Sequence, residues 1–171
     1  MSDGLSRTER SELMSRIRDR DTTPERKLRA IVRRLGFKAR LHVTRLPGSP
    51  DIVVDAARTA IFAHGCFWHR HSCARGESRP TTRAAFWSAK FQDNVRRDRR
   101  AARALRRLGW RVIVVWECRL RRAEIPRLER RLGRLLRTAL ALRRTPVQAT
   151  GTRCPSSARG SVHLSCVSTS R

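Results

Sequence analysis

The chain has 171 residues and a formal charge of +26, with 40 Lys+Arg against 14 Asp+Glu. This length suits one globular domain with a tail, and the charge calls for an anionic partner, for which DNA or RNA is the best fit. There is no run of 18 apolar residues and the N-terminus is polar, so no spanning helix, signal peptide or membrane partner is expected and the expected compartment is the cytoplasm.

Residues 7 to 20 read as a helix with a sparse apolar face of Leu13, Met14 and Ile17. Thr23-Pro24-Glu25 reads as the next helix start, with an N-cap, a first-turn proline and an acid at the positive dipole end. Leu28, Ile31, Val32 and Leu35 follow at helical spacing, and Gly36 closes the helix. Phe37 to Val43 is a candidate strand, and Leu46-Pro-Gly-Ser-Pro50 is a turn. Asp51 to Val54 and Thr59 to His64 form a predicted hairpin across a four-residue polar turn.

Residues 65 to 81 lack apolar periodicity and read as a loop organised by ligands. Residues 83 to 108 read as a helix broken near Gln92-Asp93 and ended by Gly109. Trp110 to Trp116 is a β-branched run with the look of a buried strand. Residues 123 to 141 form an arginine-rich amphipathic helix with Leu128, Leu132, Leu135, Leu136 and Leu140 on its apolar side. From Thr145 onward little is available to bury, and disorder is expected. Helix, strands, helix, strand and helix together predict a small mixed α/β domain.

Three constellations carry chemistry. Five cysteines without an export signal read as reduced thiols or metal ligands. Cys66, His71, Cys73 and the distant Cys118 make a Cys3His set, the composition of closed structural zinc sites; Cys154 and Cys166 lie in the tail. Asp51, His64, His69 and Glu25 suit hydrolysis of a phosphodiester. A carboxylate with a neighbouring backbone carbonyl can hold Mg²⁺, and a histidine near neutral pKa can deprotonate water. Asp51 after Pro50 also reads as a turn acid, and Glu25 as a helix-start acid.

The aromatics Phe67, Trp68 and Trp87 could wedge into a duplex; Trp87 equally reads as a core residue of its helix. Trp110 and Trp116 read as strand residues without a functional role. Seven arginines between residues 96 and 107, with Asp98 as the one acid, suit phosphate contact.

These residues resemble the very short patch repair (Vsr) endonucleases over about Arg10 to Leu120. The resemblance rests on Met14-Ser-Arg-Ile, Arg20-Asp-Thr-x-x-Glu25, Leu46-Pro-Gly-x-Pro-Asp51 and Ile61-Phe-x-His-Gly-Cys-Phe-Trp-His69. It continues through Phe86-Trp87, Lys90-x-x-x-Asn94-x-x-Arg-Asp98 and Leu108-Gly-Trp-Arg-Val112 to Val115-Trp-Glu-Cys118.

The resemblance implies a restriction-endonuclease-like mixed sheet flanked by helices, with a structural zinc site. It also implies a Mg²⁺-dependent, strand-specific nick beside the T of a T·G pair left by deamination of 5-methylcytosine. Asp51 and the carbonyl of residue 63 would bind Mg²⁺, and His69 would be the general base, oriented by Asp98. His64 would lie at the scissile phosphate, and Glu25 would support the metal's waters. Zn²⁺ would sit on Cys66, His71, Cys73 and Cys118. Phe67, Trp68 and Trp87 would form the wedge, with Met14 approaching from the other groove, and Lys90, Asn94 and Arg97 would complete the DNA contacts.

Residue 63 is Ala where some members carry Thr, which preserves a carbonyl ligand. The sheet lacks the Glu-x-Lys of wider restriction-type nucleases, and His64 and His69 stand in its place. The implied organisation is a DNA-clamping helix over 1–20, a nuclease domain over 21–142 and a disordered basic tail over 143–171. A monomer is expected, linked in function to a cytosine-5 DNA methyltransferase and to mismatch-repair proteins. The residues themselves also admit a nuclease with another target on the same scaffold, or a zinc-stabilised DNA binder without catalysis.

Overall fold

The computed structural model describes residues 21–144. The expected N-terminal helix with Met14, and the tail with Cys154 and Cys166, lie outside the described residues.

Helix α1 spans Thr23–Arg34, with Leu28, Ile31 and Val32 buried at helical spacing. Its N-cap is Thr22, one residue earlier than the sequence suggested, and Gly36 follows its end at φ +81°. The strand expected over Phe37 to Val43 shrinks to Arg40–Leu41 (β1). His42 takes φ +46°, a left-handed conformation that ends the regular strand, while the His42 and Val43 N–H groups still donate to the Asp51 and Pro50 carbonyls.

The Leu46–Pro50 turn closes through a hydrogen bond from the Ser49 N–H to the Leu46 carbonyl. Gly48 is required there. Its φ is +76°, and a Cβ would lie 2.5 Å from the Ala101 methyl. The hairpin follows as expected, with Ile52–Val54 (β2) antiparallel to Thr59–His64 (β3) and Ile52 opposite Ile61.

The ligand-rich loop contains a one-turn helix, α2, at Ala74–Glu77, which its lack of apolar periodicity concealed. Helix α3 runs unbroken over Ala84–Arg107. Gln92 and Asp93 cause no break, because both are exposed and tolerated on a solvated face. Arg111–Trp116 (β4) pairs parallel with β3, so the sheet order is β1-β2-β3-β4 with one parallel junction.

The expectation that β4 is buried is corrected. It is an edge strand; Val115 is buried, whereas Val114 is 37% exposed. A β-branched run suits burial on both faces, but here one face looks into a cleft. Two short 3-10 turns, Glu117–Leu120 and Arg122–Glu124, lead into helix α4 at Ile125–Arg144.

The core lies on one side of the sheet. Leu28, Ile31 and Val32 of α1 and Leu132, Leu136 and Ala139 of α4 meet Ile52, Val54, Ile61 and Val115. The alternate residues Phe62, Val112, Val114 and Trp116 line the cleft on the other side, facing Asp98, Ala101 and Ala102 of α3. The result is a mixed α/β fold, a four-stranded mixed sheet flanked by helices. Among the described residues no helix is long and apolar enough to cross a membrane.

Candidate functional site

The hairpin brings the first acid to its place. Asp51 precedes β2, and its Oδ2 accepts a hydrogen bond from the Ala63 N–H on β3 at 2.7 Å. Burial pushes its carboxyl up to about 6, against the pull of that hydrogen bond, with Glu25 raising it further. Glu25, in the first turn of α1, is buried. It accepts the Asp21 N–H at 2.9 Å and the Thr22 hydroxyl at 2.7 Å, which ties the helix lead-in to its first turn, and it stands within electrostatic reach of Asp51.

At the end of β3, the ring of His64 stacks on that of His69, with centroids 3.9 Å apart and planes 12° from parallel. His69 Nδ1 lies 2.5 Å from Asp98 Oδ2 on α3. Burial would raise the Asp98 carboxyl, but the hydrogen bond and charge of His69 hold it below its ordinary value. Burial drives His64 down to about 4, and its neighbour His69 adds to the fall. His64 is thus a neutral imidazole near pH 7.

The ligand atoms of Cys66, His71, Cys73 and Cys118 all lie within 4.8 Å of one another. Cys118 Sγ is 3.7 Å from His71 Nδ1, close to the roughly 3.6 Å edge expected of a tetrahedron with ordinary zinc–sulfur and zinc–nitrogen bonds. The donor set therefore fits zinc. Hydrogen bonding from His71 pulls Cys73 down to about 6, whereas burial pushes Cys66 up to about 12. Gly76 in α2 permits the fold of this loop, because a Cβ there would fall 2.0 Å from the His71 carbonyl oxygen.

Phe67, Trp68, Trp87 and Phe91 form one aromatic cluster. Phe67 lies edge-on to Trp68 at 5.1 Å and to Phe91 at 5.0 Å, and the two tryptophans are 5.9 Å apart. Phe91 is buried while Phe67, Trp68 and Trp87 are half-buried, so the cluster is anchored below and open above. Asn94 Nδ2 donates to the Trp68 carbonyl at 3.1 Å, and Arg97 donates to Asn94 Oδ1 at 3.0 Å, which braces the aromatic loop on α3. Lys90 sits over Phe86 at 5.9 Å.

One cleft joins the acid–histidine group to Phe67 and Trp68; Trp87 and the Cys/His cluster do not line it. It is lined by Asp51, His64, His69 and Asp98 together with Trp68, Lys90 and the α3 arginines Arg97, Arg99, Arg103 and Arg106.

Three residues escaped the sequence reading. Among the described residues, His42 Nε2 is buried without a hydrogen-bond partner, 3.7 Å from Asp21 Oδ1 and 3.8 Å from Glu25 Oε2. Asp21 stands in the Arg20-Asp-Thr-x-x-Glu25 motif but was given no role there, and nothing in the sequence set His42 apart in its presumed strand. Trp116 contacts both centres, with its ring 5.4 Å from His64 and 4.5 Å from His71. Its place next to Cys118 was the available signal.

The comparisons with known proteins agree with this geometry. The family model for DNA mismatch endonuclease Vsr matches residues 2–75. The chain is 46% identical over 124 residues to the DNA mismatch endonuclease Vsr of Escherichia coli K12, covering 72% of this chain and 79% of that protein. It is 43% identical over 136 residues to the type II nicking enzyme V.XorIIP of Xanthomonas oryzae pv. oryzae, covering 80% of this chain and 98% of that one. Against the type II nicking enzyme V.NmeAIP of Neisseria meningitidis the identity is 39% over 137 residues, covering 80% and 96%. Fold, cleft and similarity converge, and the chain belongs to the Vsr family of DNA mismatch endonucleases.

Proposed function

We propose that this protein is a DNA mismatch endonuclease that nicks the T-containing strand at T·G pairs left by deamination of 5-methylcytosine, starting very short patch repair. The observation that supports this most is the convergence of Asp51, Ala63, His64 and the His69–Asp98 pair in one arginine-rimmed cleft beside an open aromatic cluster.

Asp51 and the Ala63 carbonyl would hold Mg²⁺, with Glu25 behind them. In an extended strand the N–H and C=O of one residue point to the same side, so the Ala63 carbonyl shares the edge at which its N–H meets Asp51. When bound, the ion supplies positive charge where the phosphate becomes more negative. Asp98 accepts the Nδ1 proton of His69, leaving Nε2 to take a proton from the attacking water. His64, kept neutral by burial, donates an N–H to the phosphate without adding a charge. The arginines of α3 hold the flanking phosphates. The products would be a 5′-phosphate and a 3′-hydroxyl.

Zn²⁺ on Cys66, His71, Cys73 and Cys118 would tie the aromatic loop to the end of β4, a structural role with all four positions filled by protein. Phe67, Trp68 and Trp87 would enter the stack at the mismatch, with Met14 approaching from the other groove and residues 1–20 clamping the duplex. Lys90, Asn94 and Arg97 would support that face, Asn94 through its hold on the Trp68 backbone. A monomer suffices for one nick, and a cytosine-5 methyltransferase and mismatch-repair proteins would be functional partners.

The test is a Mg²⁺-dependent nicking assay on duplexes carrying one T·G, C·G or T·A pair in methyltransferase-type contexts. Cutting confined to the T strand of the T·G duplex is expected. Equal cutting of all three would reject mismatch specificity, and binding without cutting would reject catalysis.

A further inference from the structure

We propose that the outer face of α4 is a second duplex-binding surface, able to hold a stretch of DNA separate from the one in the cleft. On its inner side α4 places Leu132, Leu136 and Ala139 in the core. On its outer side Arg127, Arg130, Arg131, Arg134 and Arg137 are all exposed. The acid within this helix, Glu129, is engaged by Arg34. Among the described residues, no ion pair or hydrogen bond occupies any of the five arginines. Five like charges on one helix face repel each other, and bound phosphates relieve that repulsion.

The position excludes a shared ligand. Ile61 and Val115 point from the sheet toward α1 and α4, whereas Phe62 and Val114 point into the cleft. The sheet and the thickness of α4, about 10 Å with its side chains, therefore separate the two arginine surfaces. A duplex seated against Arg97, Arg99 and Arg103 cannot reach the outer face of α4 without bending around the domain.

The spacing favours nucleic acid over a compact acidic protein. From Arg127 to Arg137 the helix rises about 15 Å, the length over which one DNA strand presents about four phosphates. Contacts of this kind carry affinity without sequence choice. The consequence would be transfer between DNA segments while the cleft inspects a pair.

The test uses the full chain and a variant carrying Arg127→Gln, Arg130→Gln, Arg134→Gln and Arg137→Gln, with folding checked by its melting temperature. A control carries Arg45→Gln, Arg79→Gln, Arg111→Gln and Arg122→Gln, the same charge change at exposed positions elsewhere. A short duplex on beads is saturated with protein, and capture of a second, labelled duplex is measured across salt concentrations. Wild type and control should capture it. The α4 variant should lose most of the capture, and the salt slope of second-duplex binding should fall by about 3 to 4, near 0.9 per lost phosphate contact. Its single-turnover nicking of a short mismatched duplex should stay within about twofold of wild type, because none of the four arginines lines the cleft.

Equal loss in variant and control would assign the effect to net charge and overturn the proposal. So would capture that tracks protein dimerisation in sedimentation. Absence of capture by wild type would also overturn it, including the case in which wild type floats with phosphatidylglycerol vesicles instead.

Discussion

His69 Nδ1 lies 2.5 Å from Asp98 Oδ2, joining a residue of the ligand loop to one on α3, 29 positions later. The contact fixes which ring nitrogen is free to face the cleft. It also makes the proposed base depend on a helix that otherwise reads as a phosphate-binding element.

Replacing Asp98 by Asn should therefore lower the nicking rate by about 10²-fold or more while leaving DNA affinity within a few-fold. The amide no longer enforces the tautomer that keeps Nε2 as the acceptor. Single-turnover kinetics beside a binding titration measure both. An unchanged rate would remove His69 from the role of base.

Asp51 carries two linked expectations. Asp51→Ala should abolish nicking with binding largely retained, because it removes the proposed metal ligand and not a phosphate contact. The carboxyl rises from 3.8 to about 6 on folding, so the native state binds more protons and stability falls as pH rises through that window. Asp51→Asn should then melt higher than wild type at pH 7.5 without added Mg²⁺, by roughly 2 to 3 kcal/mol at most, and the gain should vanish below about pH 4. Melting curves at the two pH values decide it.

The same titration should shape activity. At low Mg²⁺ the nicking rate should fall about tenfold per pH unit below about 6. Raising Mg²⁺ should move that limb to lower pH, since ion and proton compete for one carboxylate. A limb that ignores Mg²⁺ concentration would assign it to another group.

The Cys66–His71–Cys73–Cys118 cluster, as the proposed zinc site, predicts coupled losses. Cys118→Ser should lower zinc content and melting temperature together, measured by metal analysis and calorimetry on the same samples. Gly76→Ala leaves all four ligands in place yet should destabilise by about 2 kcal/mol or more, because its Cβ would collide with the His71 backbone. A Gly76→Ala protein that melts like wild type would mean the loop can shift without cost.

Trp68→Ala should lose T·G preference more than general DNA affinity, since the half-buried ring stands on Phe67 and Trp87 at the open side of the cluster. Competition between T·G and C·G duplexes reads the ratio. An unchanged ratio would reject the wedge.

Much of the fold and site was legible because the signals were local. Thr23-Pro-Glu, the Asp51–His64 hairpin and the Cys66-to-Cys73 spacing each depend on residues a few positions apart. The readings that failed turned on long-range packing. The Phe37-to-Val43 strand was cut short at His42, whose backbone turns left-handed where its N–H meets the Asp51 carbonyl and its ring approaches Glu25. The run Arg111–Trp116 had the composition of a central strand, yet among the described residues no strand pairs its outer edge.

By itself, the sequence determined the basic surface, the mixed α/β class and the side chains able to hold metals, because residue type sets charge, hydropathy period and ligand chemistry. Only the tertiary structure put distances on the Asp51–Glu25 and His69–Asp98 pairs that the family resemblance implied, and it alone decided that Trp116 touches both His64 and His71 and that α4 turns five arginines away from the cleft. These are distances between residues far apart in the chain. They are set by which face of the sheet each helix covers, and no local pattern encodes that choice.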